Sequence, residues 1–187
     1  VVWRFLLDDG ASHKGIEMSS LQWSEELVLD LPLMDETHQE FVELLQAVNA
    51  ADDATLQDCW SALVEHTDQH FAQEDRWMLA TKFASSNCHT LQHKVVLQVM
   101  REGGERAAKG ELFVLREMAR ELAIWLVQHT QSMDAALALH LRRVGFDPVT
   151  GTVASPDNLP RDLIHGCAGA CSGDDEEEAG QAADAVH

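Results

Sequence analysis

The chain has 187 residues, 32 of them acidic against 13 basic, and a formal net charge of -19, so phosphate backbones and anionic lipid surfaces meet repulsion and are excluded as expected partners. That length supports one domain with a real core and a tail. Nothing approaches the roughly 20 apolar residues of a membrane span, and no leader pattern precedes Met18, so a soluble, cytoplasmic protein is expected.

Residues 1–17, "VVWRFLLDDGASHKGIE", read as an extra extension ahead of "MSSLQW" and are given no fold role. Residues 18–146 read as one bundle domain. A first helix is predicted from Asp35 to Asn49, with His38, Phe41, Leu45 and Val48 recurring at helical steps. "AADDAT" breaks it, and Asp52 or Asp53 is placed to cap the next helix. The second helix carries Leu56, Trp60, Leu63, His70, Glu74 and Trp77 on one stripe and fades near Lys82. "SSN" supplies a turn and cap for a third, which continues through Val96 and Met100 until Gly103, Gly104 and Gly110 loosen the chain. A fourth starts near Glu111, shows Leu115, Leu122, Trp125, Leu126 and His129 on its inner side, and ends at Gly145 and Pro148. Four amphipathic helices on short connections predict an all-α, antiparallel up-down-up-down bundle.

Residues 147–187 are turn-rich, then small and acidic, with too little apolar surface to offset ordering entropy, and are expected to be a flexible tail. Within it Cys167 and Cys171, beside His165, form a pair suited to a soft metal or a redox-sensitive disulfide, though one ligand short of a closed tetrahedral site. The acidic run from Asp174 to Glu178 favours solubility. Cys59 and Cys88 fall inside helices and read as small apolar residues, and a reducing compartment fits.

The chemistry lies in the histidines. His38 stands on the first helix; His70 and Glu74 are four apart on the second; His89 and His93 are four apart on the third; His129 and Asp134 lie on the fourth. Residues four apart stack on one helix face, so each such pair offers two donors to a single point. Five residues overshoot a full α-turn by about 140 degrees, so His129 and Asp134 are expected to reach the centre from different flanks. Singly, each motif has an ordinary structural reading. Together, five imidazoles and two carboxylates inside one bundle would cost several kcal/mol per unsatisfied group without a partner, and a metal centre removes that cost.

Imidazole with carboxylate suits iron, zinc, copper or manganese, whereas the lack of cysteine among these donors argues against thiolate zinc or iron–sulfur sites. Seven ligands exceed one six-coordinate ion and suit two. With both carboxylates and one solvent-derived oxygen bridging, one metal becomes six-coordinate and the other five-coordinate, leaving a position for a small molecule.

With "LQWSEELVLDLPLMDETHQEFVELL", "HFAQED", "CHTLQH" and "WLVQHTQSMD" in this order, residues 21 to 143 resemble the hemerythrin family, in particular its bacterial single-domain members. The resemblance implies two iron ions per chain, bridged by Glu74, Asp134 and an oxo or hydroxo group. It implies His89, His93 and His129 on the coordinatively full iron and His38 and His70 on the iron with the open position. The implied function is reversible binding of dioxygen for storage, delivery or transport, with an oxygen-consuming enzyme as a candidate recipient, and no enzymatic activity is expected. Two alternatives stay open: a sensor of oxygen, nitric oxide or iron acting through the tail, and a di-iron enzyme of peroxide, nitric oxide or iron–sulfur repair chemistry. Histidine-rich ligation, without any Glu-x-x-His pair, favours a carrier over an oxidase. Helical phase nominates Phe71, Trp77, Leu97, Leu122, Trp125 and Leu126 as pocket walls. His66, one turn before His70, stands where bacterial relatives often have tyrosine; it reads as an outer hydrogen-bond partner or as a group touching the open position.

Overall fold

The structure, a computed structural model, describes residues 21–83 and 88–162. The expected extension at 1–17, the "SSN" turn, the Cys167 and Cys171 pair with His165, and the acidic run at 174–178 lie outside the described residues. Four long helices make an all-α bundle: α1 (Pro32–Ala50), α2 (Leu56–Ala80), α3 (Cys88–Ala107) and α4 (Phe113–His129), the last continuing through a π-helical turn (Thr130–Asp134) into α5 (Ala135–Val144). Each helix packs on its neighbours in the chain and α1 closes against α4, as in an up-down-up-down ring. Among the described residues no helix is long and apolar enough to cross a membrane.

Local chemistry sets the boundaries. Pro32 opens α1, where a missing N–H costs nothing, and the Asp35 carboxylate accepts from the N–H groups of Leu29 at 2.8 Å and Leu31 at 3.1 Å. Of the two aspartates nominated before α2, Asp52 accepts from Ala54 and Thr55, whereas Asp53 pairs with Arg116 of α4 at 2.7 Å. Helix α2 closes in a Schellman turn: Phe83 N–H donates to the Met78 carbonyl and Lys82 N–H to that of Leu79, with Lys82 left-handed at φ 56°.

Gly103 and Gly104 do not loosen α3, which runs through both to Ala107. Gly103 is a close-approach residue instead, since a Cβ there would lie 2.3 Å from Met118 Sδ of α4. The predicted single fourth helix is interrupted by the π turn, whose extra residue has its use at the site described below. The chain also stays packed beyond Pro148. Phe146–Asp147 (β1) pairs antiparallel with Thr152–Val153 (β2), a short 3-10 turn follows at Pro156–Asn158, and Phe146, Val153 and Leu159 pack on the apolar side of α5. A flexible tail beginning at residue 147 is therefore not the arrangement of residues 147–162. Three separated apolar side chains anchor a segment whose composition is otherwise that of a loop.

The interior has two apolar clusters with a polar layer between them. Along α1 the order is Met34, His38, Phe41; along α2 it is Phe71, Glu74, Trp77; along the fourth helix it is Leu126, His129, Asp134, Leu137. In each case the apolar residues at the two ends belong to different clusters. The larger cluster holds Phe41, Trp60, Phe71, Met100, Leu115, Trp125 and Leu126, and the Trp60 indole donates across it to the Met100 carbonyl at 3.0 Å. The smaller holds Leu31, Met34, Trp77, Met78, Leu137, Leu141 and Phe146. Cys59 borders the first and Cys88 the second, both half-buried among apolar neighbours.

Candidate metal centre

All seven nominated donors meet in the polar layer, and none is more than 4% exposed. The helices bring them there in the pairs that their spacing defines, except at the π turn. Five residues separate His129 from Asp134, yet their side chains face the same point, Nε2 lying 3.1 Å from Oδ1. The π turn takes up the extra residue, so the expected approach from different flanks is corrected to one shared face.

The carboxylates divide their oxygens. Glu74 Oε2 lies 3.3 Å from the Nε2 atoms of both His89 and His93, while its Oε1 lies 3.2 Å from His70 Nε2. Asp134 Oδ1 lies 3.0 Å from His89 Nε2 and 3.1 Å from His129 Nε2, while its Oδ2 lies 3.2 Å from His38 Nε2. One oxygen of each thus faces a three-histidine group and the other a two-histidine group. The donor atoms of Glu74, His89, His93, His129 and Asp134 fall within 4.8 Å of one another, as do those of His38, His70 and Glu74.

These contacts do not amount to a satisfied hydrogen-bond network. Both ring nitrogens of His38 and His89, Glu74 Oε2 and both oxygens of Asp134 are buried without an aligned partner, a state costing about 1–3 kcal/mol per neutral group and more per charge. His93 Nε2 and His129 Nε2 face each other at 3.3 Å, where two lone pairs repel unless one nitrogen carries a proton or a cation sits between them. Separations near 3 Å between converging donors suit an ion about 2.1 Å from each. The residues fit metal.

Without metal, protons balance the charges. Burial opposes the charged form of His89, but the close Asp134 and Glu74 carboxylates outweigh it and raise its pKa to about 10. His38 and His93 are raised in the same way, His38 against burial by Asp134 and His93 against burial by Asp75 and Glu74. His129 goes the other way, because burial exceeds the pull of Asp134. Burial pushes both carboxyls up, and in Glu74 the neighbouring Asp134 charge adds to this. The imidazoles of His70 and His89 around Glu74, and of His129, His38 and His89 around Asp134, prevail and hold both well below the usual carboxylate range.

The expected pocket walls do not form one surface. Phe71 stacks on the His93 ring at 3.9 Å and Trp125 on the His129 ring at 4.4 Å; Leu97 lines a groove with Phe71 and His93; Leu122 and Leu126 lie in the same large cluster. Trp77 instead belongs to the cluster on the other side of the polar layer, edge-on to Phe146. His66 is held outside the donor set: its Nε2 lies 3.1 Å from the Thr37 carbonyl, and its Nδ1 3.6 Å from the exposed Glu40. Burial lowers its pKa, against the hydrogen bond to Thr37.

Two polar residues were not singled out from the sequence. His93 Nδ1 lies 3.2 Å from Asp75 Oδ1, and His129 Nδ1 lies 3.3 Å from Gln92 Oε1. Their signal was present, because Asp75 directly follows Glu74 and Gln92 directly precedes His93, but acidic and amide residues at such positions are common on exposed helix faces.

Residues 29–139 match the model of the hemerythrin HHE cation binding domain, well over half of the chain. The chain belongs to the hemerythrin family. A bacteriohemerythrin of Ralstonia nicotianae is 38% identical over 130 residues, 70% of this chain and 95% of the relative. Bacteriohemerythrins of Stenotrophomonas maltophilia and Pseudomonas paraeruginosa are 26% and 27% identical, over 65% and 63% of this chain and 81% and 79% of their own lengths. The hemerythrin match spans every donor of the polar layer and stops before the β-hairpin.

Proposed function

We propose that this chain holds two iron ions in the polar layer and binds dioxygen reversibly there, as an intracellular store or carrier. The observation that carries the reading is the division of both carboxylates between a group of three imidazoles and a group of two. Glu74 and Asp134 are the residues that would bridge, His89, His93 and His129 would hold one ion, and His38 and His70 the other. Iron bound there would supply reversible redox chemistry toward dioxygen. The smaller group offers fewer protein donors and so leaves room for a diatomic ligand.

The chain's own contribution is to bind, orient and shield. Neutral imidazoles outnumber carboxylates, so fewer anionic donors stabilise the oxidised state. The Phe71 and Trp125 rings lie flat on His93 and His129, and the large apolar cluster behind them keeps bulk water from that side. His66, its Nε2 directed to a backbone carbonyl, leaves the donor set to the seven.

The test is an optical spectrum of anaerobically reduced, iron-loaded protein before and after air, with iron measured on the same sample. A visible charge-transfer band that appears with air and vanishes on deoxygenation, at two irons per chain, supports the carrier. Irreversible oxidation to a ferric product would move the reading to sensing or to peroxide chemistry.

A further inference from the structure

We propose that the two metal positions fill in order, the three-histidine position first, and that Asp75 and Gln92 are the positioning residues that set this order. The inference rests on the two-metal reading above and adds a hierarchy within it.

The argument begins outside the donor shell. An imidazole that presents Nε2 to a metal must carry its proton on Nδ1, and an acceptor beyond that nitrogen fixes both tautomer and ring angle. His93 has such an acceptor in Asp75 Oδ1 at 3.2 Å, and His129 has one in Gln92 Oε1 at 3.3 Å. Flat contacts add to this: Phe71 lies 4° from parallel with His93, and Trp125 26° from parallel with His129. Two of the three imidazoles on this side are thus held at an outer nitrogen and across a ring face. His89, the third, approaches both carboxylates.

The two-histidine side lacks this support. The Nδ1 atoms of His38 and His70 are buried with no hydrogen-bond partner among the described residues, and their rings contact each other tilted, at 4.9 Å. Its rings must choose tautomer and angle as the ion arrives. On the five-donor side His93 and His129 are already held in this way, and His89 alone shares the unpartnered Nδ1 of His38 and His70; preorganised donors bind more tightly. Asp75 is a carboxylate, 40% exposed, and its oxygen faces a His93 side chain that is 2% exposed. Charge on the acceptor raises the basicity of the ligating nitrogen.

The experiment titrates cobalt(II) into the metal-free full chain, followed by calorimetry and by cobalt visible absorption. Two separable steps of one equivalent each are expected. Asp75→Asn should weaken the first step roughly 10- to 100-fold and leave the second nearer its original affinity. Gln92→Leu is a second, independent variant with the same expectation through His129, in case Asp75→Asn folds poorly by circular dichroism. Asp68→Asn is the control, removing a neighbouring acid of the same groove that pairs with Arg101 rather than with a histidine; it should leave both steps in place. Two equivalents binding in one step, or both steps weakened alike by Asp75→Asn, or an equal effect of Asp68→Asn, would overturn the order while keeping two metals. Saturation at one equivalent would overturn the two-metal reading itself.

Discussion

At the scale of single residues, the polar layer and its surroundings use histidine in opposite ways. His140 is a structural imidazole: its Nε2 lies 3.0 Å from the Thr81 carbonyl and its ring is tilted against Phe83. Burial, helped by the Arg143 charge, outweighs that hydrogen bond and lowers its pKa. The folded protein therefore binds this proton less readily than the unfolded chain. Stability from His140 is fully present above about pH 6.5 and is lost as pH falls through the folded value. In metal-free protein, His140→Gln keeps a donor for Thr81 and removes the titration, so its urea midpoint should fall less between about pH 7.5 and 5.5 than that of the parent; equal falls would refute this role. The ligand residues differ among themselves by how many metal positions they serve. Glu74 offers an oxygen to each group, whereas His70 serves one. Glu74→Gln should therefore leave less than one metal per chain by elemental analysis with the helical circular dichroism intact, and His70→Ala should retain about one. Equal metal contents in the two variants would contradict the bridging assignment.

At the scale of elements, two left-handed positions that follow helices can be read by substitution. Lys82 holds the left-handed position of the Schellman turn after α2, where a side chain costs roughly 1–2 kcal/mol. Lys82→Gly should stabilise by about 0.5–1 kcal/mol once glycine's larger unfolded-state entropy is subtracted, seen as a higher thermal midpoint. Gly145 is the reverse case, left-handed at φ 62° after α5, and a Cβ there would lie 3.0 Å from the Ala154 Cβ. Gly145→Ala should cost about 1–2 kcal/mol and loosen the hairpin that docks on it. The same scale shows what the sequence could and could not announce. The four helices and their stripes were legible because an apolar period near 3.6 survives along each. So were the His70–Glu74 and His89–His93 pairs, because a four-residue step needs no tertiary information. The π turn was not legible, since Thr130 to Asp134 carries no local code for an extra residue in the turn; it coincides with the convergence of His129 and Asp134 on one point. The packed hairpin was missed because Val153 and Leu159 are isolated in a polar stretch, and only the uncovered face of α5 gives them a partner. Gly103 reads as a helix breaker by propensity, whereas the approach of Met118 makes it a helix contact.

At the scale of the molecule, a layer of buried charge separates two apolar clusters in a chain of net charge -19. Such a layer adds nothing through apolar burial, and in it the Asp134 and Glu74 carboxylates raise the His89 pKa to about 10 against burial. Removing one member of a buried charged set costs about 3–5 kcal/mol, so the set behaves as a unit, and its donors come from all four long helices and the π turn. Any ion bound only by the folded bundle stabilises it by mass action, about 2.7 kcal/mol at a hundredfold excess over its dissociation constant. For a domain of this size each kcal/mol moves the midpoint by about 2–4 °C. Chelation of the metal-loaded chain should therefore lower its thermal midpoint by roughly 5–10 °C, and readdition of ferrous ion under anaerobic conditions should restore it. Differential scanning calorimetry of the loaded, chelated and reconstituted protein measures this directly. A midpoint unmoved by chelation that demonstrably removes the metal would mean that protonated imidazoles satisfy the layer as well as metal does, and the unpartnered donors would then have a structural explanation without an ion.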